Sequence, residues 1–168
     1  MVMYYDDNTI VFLDGKWVPA SATSASIYGQ TLHYGLGVFE GIRSYKTEDG
    51  TRIFKAEEHY ERLHYSAQKM QIKIPYLVDE LIKLSYDLLE KNNLGDAYLR
   101  PLVFLGENMS LQTETKTHVL LCAWEWGKVP WGGTIRAHDI FISKTKPQIL
   151  LCRSQGDRTL YQFYFGDK

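Results

Sequence analysis

Two helical stretches set between short β-rich runs constrain this chain more than any single residue. Over residues 56–70, Tyr60, Leu63, Ala67 and Met70 recur three or four positions apart with charges between them, which is the period of an amphipathic helix. After Pro75 the stripe Leu77, Leu81, Leu84, Leu88 and Leu89 repeats the pattern, and Asn92-Asn93 ahead of Leu94-Gly95 stops it. Upstream, residues 9–13 and 16–18 are β-rich and joined by Asp14-Gly15, a dipeptide that supplies the positive φ angles of a tight hairpin. Residues 38–45 and 51–54 flank a polar loop over 46–50 and predict a second hairpin, while 98–105 and 117–126 read as buried strands. Strands, two helices, then strands is the order of an α+β fold, not of a doubly wound parallel sheet.

With 168 residues, 45% of them hydrophobic and 14% aromatic, the chain has enough apolar surface for a real core. The net charge of −1, with no long run of one sign, leaves no electrostatic footprint for nucleic acid or an anionic membrane. Small neutral or zwitterionic partners fit better. Cys122 and Cys152 are too few for a disulfide framework or a zinc site, and a cytoplasmic location is expected in the absence of an apolar leader pattern. No apolar run approaches the roughly 20 residues that span a bilayer.

Chemistry concentrates in residues 33–45, His-Tyr-Gly-Leu-Gly-Val-Phe-Glu-Gly-Ile-Arg-Ser-Tyr. Glycines at 35, 37 and 41 among aromatic and β-branched residues imply a backbone that something approaches closely. Further on stand Glu58-His59-Tyr60-Glu61-Arg62-Leu63 on the first helix, Ala97-Tyr98-Leu99-Arg100-Pro101-Leu102 opening a strand, and Ala123-Trp124-Glu125-Trp126-Gly127 near the end of the last. These four landmarks, in this order over about residues 4–128, resemble the N-terminal domain of branched-chain amino acid aminotransferases, in the fold-type-IV (D-amino acid aminotransferase-like, class IV) group of pyridoxal phosphate enzymes.

The resemblance implies an antiparallel sheet with two helices and, as cofactor, pyridoxal 5'-phosphate. It implies a reaction in which a branched-chain L-amino acid and 2-oxoglutarate become a 2-oxo acid and L-glutamate. Arg62 matches the arginine that holds the cofactor phosphate, a task suited to a planar cation with fixed donors; the plainer alternative pairs Arg62 with Glu58 on the helix surface. Tyr34, Phe39 and Tyr98 match the aromatic walls of the substrate pocket, although aromatics in a sheet are more often plain core. Tyr34 would serve the neighbouring subunit of a homodimer. Arg100 matches an arginine near the substrate carboxylate, and its alternative is an edge-strand surface cation. His33 reads as a hydrogen-bonded structural histidine, with no metal-ligand spacing around it.

Transamination on this cofactor needs a Schiff-base lysine that also shuttles a proton, and no segment here resembles the family's lysine segment. No catalytic residue is therefore assigned, and the second domain is expected to be missing. The pattern departs at Val129, where the genetic code offers an explanation. Trp131-Gly132 must be encoded TGG-G, so the frame one base later reads glycine; Gln155-Gly156 must be encoded CAR-G, so the shifted codon is lysine or arginine. Permitted codons from Val129 onward restore the family's tyrosine-leucine-glycine turn and its alanine-lysine-valine segment. Residues 1–128 thus read as the class IV domain and 129–168 as an atypical, poorly structured tail from a one-base frameshift near Gly127-Lys128. A short paralogue with a tail of its own is the alternative; Lys144 and Lys146 then lie near the right distance, but neither has the glycine-tyrosine context. Other fold-type-IV activities, such as a D-amino acid aminotransferase or aminodeoxychorismate lyase, and a non-enzymatic oligomerising fragment are the competing functions.

Overall fold

Asp14 and Gly15 both take left-handed backbone angles, φ 51° and 87°, so strands β1 (Ile10–Leu13) and β2 (Lys16–Pro19) close in two residues with Leu13 opposite Lys16. The computed structural model describes residues 4–111 and 114–125 of the chain. The expectations for residues 129–168 lie outside the described residues.

A five-residue helix α1 (Gln30–Tyr34) precedes β3 (Gly37–Phe39), β4 (Ile42–Thr47) and β5 (Gly50–Ile53). The structure corrects the reading of 38–45 as one strand, because ladder pairing lapses at Glu40-Gly41, opposite Pro101 and its missing N–H, while the register on β6 is kept, and it corrects the turn of the second hairpin. Lys46 and Thr47 pair with Thr51 and Gly50, so Glu48-Asp49 alone make the turn. Helices α2 (Ala56–Lys69) and α3 (Val78–Lys91) follow, then the long strands β6 (Ala97–Leu105) and β7 (Thr117–Glu125). The sheet runs β2-β1-β7-β6-β4-β5, with β3 also paired to β6, and every pairing is antiparallel.

Strand alternation separates the two faces of the sheet. Ala97, Leu99, Pro101 and Val103 of β6 are buried, as are Val119, Leu121 and Ala123 opposite them on β7. Tyr60, Leu63 and Ala67 of α2, with Leu81, Leu88 and Leu89 of α3, complete that core with Ile42 and Ile53. A fully buried leucine contributes roughly 1.5–3 kcal/mol to such a core. Ser85 is buried inside it; its hydroxyl donates to Leu81 O at 2.8 Å, so the Tyr60 hydroxyl must donate to Ser85 Oγ. Burial pushes the Tyr60 phenol well above its ordinary pKa.

Two polar ties fix the edges. Glu80 accepts the Leu77 N–H at 2.7 Å and starts α3. Asp14 accepts Val119 N–H at 3.0 Å, His118 Nδ1 at 2.6 Å and Lys116 Nζ at 3.0 Å, pinning the first turn to β7. Among the described residues no helix is long and apolar enough to cross a membrane.

Asn92 does the work of a missing strand. β7 pairs with Phe12 and Leu13 of β1, and beyond that pairing Asn92 Oδ1 accepts Ile10 N–H at 2.8 Å while Nδ2 donates to Ile10 O at 2.9 Å and Leu88 O at 2.8 Å. Asn92→Ala strips both backbone groups of Ile10 of this partner, so chemical denaturation should show a loss of about 2–3 kcal/mol. A change within 0.5 kcal/mol would show that water replaces the amide.

Candidate functional site

Strand alternation carries through the gap between β3 and β4, which share one register on β6. Val38 faces the core, opposite Val103. Phe39 is opposite Leu102 and 59% exposed, on the face away from the helices. Glu40, whose N–H donates to Pro101 O at 3.1 Å, is 7% exposed and turns to the helix side. Gly41 returns to the open face.

On that face β6 and β7 present Tyr98 opposite Trp124 and Arg100 opposite Cys122. The Arg100 guanidinium lies 4.4 Å from the Phe39 ring centroid and 5.3 Å from that of Tyr98, cation–π geometry, and Arg100 Nη2 donates to the Tyr98 hydroxyl at 2.9 Å. Tyr98 in turn packs on Trp124 with centroids 5.0 Å apart. Gly41 makes this possible: a Cβ there would overlap the Tyr98 hydroxyl and stand 2.9 Å from its Cζ. Arg100 Nε is buried and has no hydrogen-bond partner among the described residues, a fixed cationic donor suited to an anionic ligand. Arg100 is thus neither on an edge strand nor a plain surface cation. Cys122 donates its thiol to Arg100 O at 3.6 Å; burial pushes its pKa up to about 11, against the lowering effect of Arg100, so it is a poor nucleophile.

Glu40 meets α2 on the other side. Arg62 Nε donates to Glu40 Oε1 at 2.7 Å and Nη2 to Oε2 at 2.6 Å, a bidentate pair. His59, one turn earlier, places Nδ1 2.9 Å from the same Oε2 and 3.0 Å from Arg62 Nη2, so it closes a three-membered polar cluster with them. Burial would raise the Glu40 pKa, but the hydrogen bonds from Arg62 and then His59 outweigh it and hold the carboxyl below the ordinary glutamate range. The Glu40 hydrogen bond raises that of Arg62. The Arg62 side chain stays 60% exposed. Its partner is Glu40, not Glu58, which lies 3.8 Å from Lys55.

The structure therefore groups Phe39, Tyr98 and Arg100, and sets Arg62 in a clasp with Glu40. Tyr34 is not in that group. Gln30 N–H donates to Gly106 O, placing α1 at the far end of β6, and the seven steps from Tyr98 to Leu105 span about 23 Å of strand. The Tyr34 hydroxyl donates to Met109 O at 3.2 Å, beside exposed Ile27, Tyr28 and Leu32. His33 Nε2 donates to Ile27 O at 2.7 Å, the structural role expected of it. Glu40 and His59 escaped notice in the sequence. A carboxylate sharing the core-facing alternation of Val38, Ile42 and Ser44 was the available signal.

A family model described as amino-transferase class IV matches residues 37–150. The branched-chain-amino-acid aminotransferase of Pseudomonas aeruginosa is 42% identical over 124 residues, 73% of this chain and 40% of that protein. The crystal structure of the Escherichia coli branched-chain amino acid aminotransferase superposes with a TM-score of 0.68 at 35% identity, covering 71% of this chain and 40% of that one. That of Thermobaculum terrenum, solved in its PLP form, gives 0.62 at 25% identity over 71% and 41%. The chain spans about 40% of the length of the curated relatives it matches.

The clasp is sensitive to acid in one direction. Because the folded pKa of Glu40 is depressed, its stabilising contribution is complete above the unfolded value, about 4.3, and is lost as pH falls through the folded value. The stability difference between wild type and Glu40→Gln, followed by denaturation, should be largest near neutrality and shrink on acidification. A difference constant down to strong acid would contradict the clasp.

Proposed function

Because the chain belongs to the class IV amino-transferase family, we propose that it is the N-terminal part of a branched-chain amino acid aminotransferase, which passes the amino group of a branched-chain L-amino acid to 2-oxoglutarate. The observation that carries this reading is the joint placement of Phe39, Gly41, Tyr98 and Arg100 on one face of the sheet.

The residues present fit pyridoxal 5'-phosphate. When bound, that cofactor supplies the electron sink for the chemistry at the substrate Cα. Arg62, exposed at one edge of its guanidinium, would grip the phosphate. Arg100, with its unpartnered Nε, would orient the substrate carboxylate, and the Tyr98 hydroxyl, held by Arg100, would share that task. Phe39 and Tyr98 would form the apolar wall that sorts leucine, isoleucine and valine, each methylene being worth about 1–3 kcal/mol. Tyr34 lies too far along β6 to join the same site and would complete the site of a neighbouring copy, making the protein a homo-oligomer. The exposed Ile27, Tyr28 and Leu32 beside it suit burial against that copy. A cytoplasmic location belongs to the same reading.

Residues 129–168 fit a frameshifted tail on this account, and the reactive lysine lies in the other frame across the Gln155–Gly156 junction. As written, the chain would therefore bind rather than turn over. Sequencing the gene should reveal one extra base around the codons for Gly127-Lys128. Deleting it should give a two-domain enzyme that transaminates leucine, isoleucine or valine with 2-oxoglutarate. An uninterrupted gene, or homologous chains sharing this tail, would contradict the frameshift; a restored enzyme that uses D-alanine instead would replace the branched-chain reading.

A further inference from the structure

Glu40 is a carboxylate placed directly behind the arginine proposed to grip a phosphate, which on charge alone is counterproductive. Its geometry explains it. A guanidinium has five N–H donors in a rigid fork, and Glu40 takes only the side-on edge, Nε to Oε1 at 2.7 Å and Nη2 to Oε2 at 2.6 Å. Nη2 also lies 3.0 Å from His59 Nδ1, both Nη1 protons remain, and the side chain is 60% exposed while Glu40 is 7% exposed. The carboxylate and His59 thus lie on the protein side of the guanidinium, and the Nη1 end of the end-on edge is left to meet an anion from solvent.

A free arginine side chain carries about 2 kcal/mol of rotamer entropy, which a ligand that must capture it has to overcome. Glu40 is itself anchored: its N–H is bonded to Pro101 O and its Oε2 receives His59 Nδ1. From this we infer that Glu40 is a positioning residue: with His59 it holds Arg62 side-on so that the end-on edge is pre-aligned for a phosphate monoester. The inference rests on the proposed role of Arg62 and extends it to a residue that would not touch the cofactor.

The test uses the full 168-residue chain with pyridoxamine 5'-phosphate and with pyridoxamine, two probes that differ only in the phosphate and need no lysine. Wild type should prefer the phosphorylated probe, and Glu40→Gln should lose roughly tenfold of that preference while its pyridoxamine affinity is unchanged. The Arg62 Nε–H resonance, assigned by its loss in Arg62→Met, should be sharp and slow to exchange in wild type and should broaden in Glu40→Gln. Arg62→Lys keeps the charge but has no fork, and should lose the preference with Glu40 in place; this holds even where Glu40→Gln fails to fold. Preference lost in Arg62→Met but retained in both Glu40→Gln and Arg62→Lys would overturn the positioning role and leave the role of Arg62 standing. No preference in wild type would overturn both.

Discussion

Nine residue pairs join β6 to β7, from Ala97 opposite Glu125 to Leu105 opposite Thr117, and the other elements of the described domain attach to this ribbon. β1 extends it on one side, β3 and β4 on the other. Because successive residues of a strand point to opposite faces, the register that buries Leu99, Val103, Val119 and Leu121 under the helices also sends Tyr98, Arg100, Cys122 and Trp124 to the opposite side. A one-residue slip would exchange the two sets. The hydrophobic core and the binding face are therefore consequences of the same ladder.

The second constraint is the carboxylate buried at Glu40. β3 and β4 share one register on β6, so alternation turns Glu40 to the helix side, where an unpaired carboxylate is costly. There it meets Arg62 and His59 on α2, so a helix and the sheet are tied by one buried acceptor. Gly41 follows at once, and its missing side chain is the space the Tyr98 hydroxyl occupies. One tripeptide thereby sets the positions of Phe39, of Arg62 through Glu40, and of the tyrosine that Arg100 holds.

Periodicity made much of this legible. The α2 and α3 stripes, the Asp14-Gly15 turn and the two long strands follow from apolar spacing and turn chemistry, which act locally. What escaped was non-local. The five-residue helix α1 is too short for a period to register, and Gln30 secures it through Nε2 to Ser110 O, 80 residues away. The split at Glu40 falls opposite Pro101 of β6, which has no N–H to give the ladder, and the strand-like run of Val38 and Phe39 conceals it. Phe39, Tyr98 and Arg100 were grouped by resemblance, and their mutual contacts became visible only in three dimensions. Asn92 read simply as a helix stop, whereas its amide also completes β1 from a distance of 82 residues.

On the proposed reading the chain keeps a face suited to cofactor and substrate and lacks the amine that transamination requires. The most direct measurement is borohydride reduction of the purified chain with pyridoxal 5'-phosphate, followed by peptide mapping, which fixes any carbon–nitrogen double bond formed between cofactor and protein. The account predicts no stoichiometric label on any single lysine. One lysine of residues 129–168 labelled stoichiometrically would mean that the tail provides the nucleophile, and would contradict it.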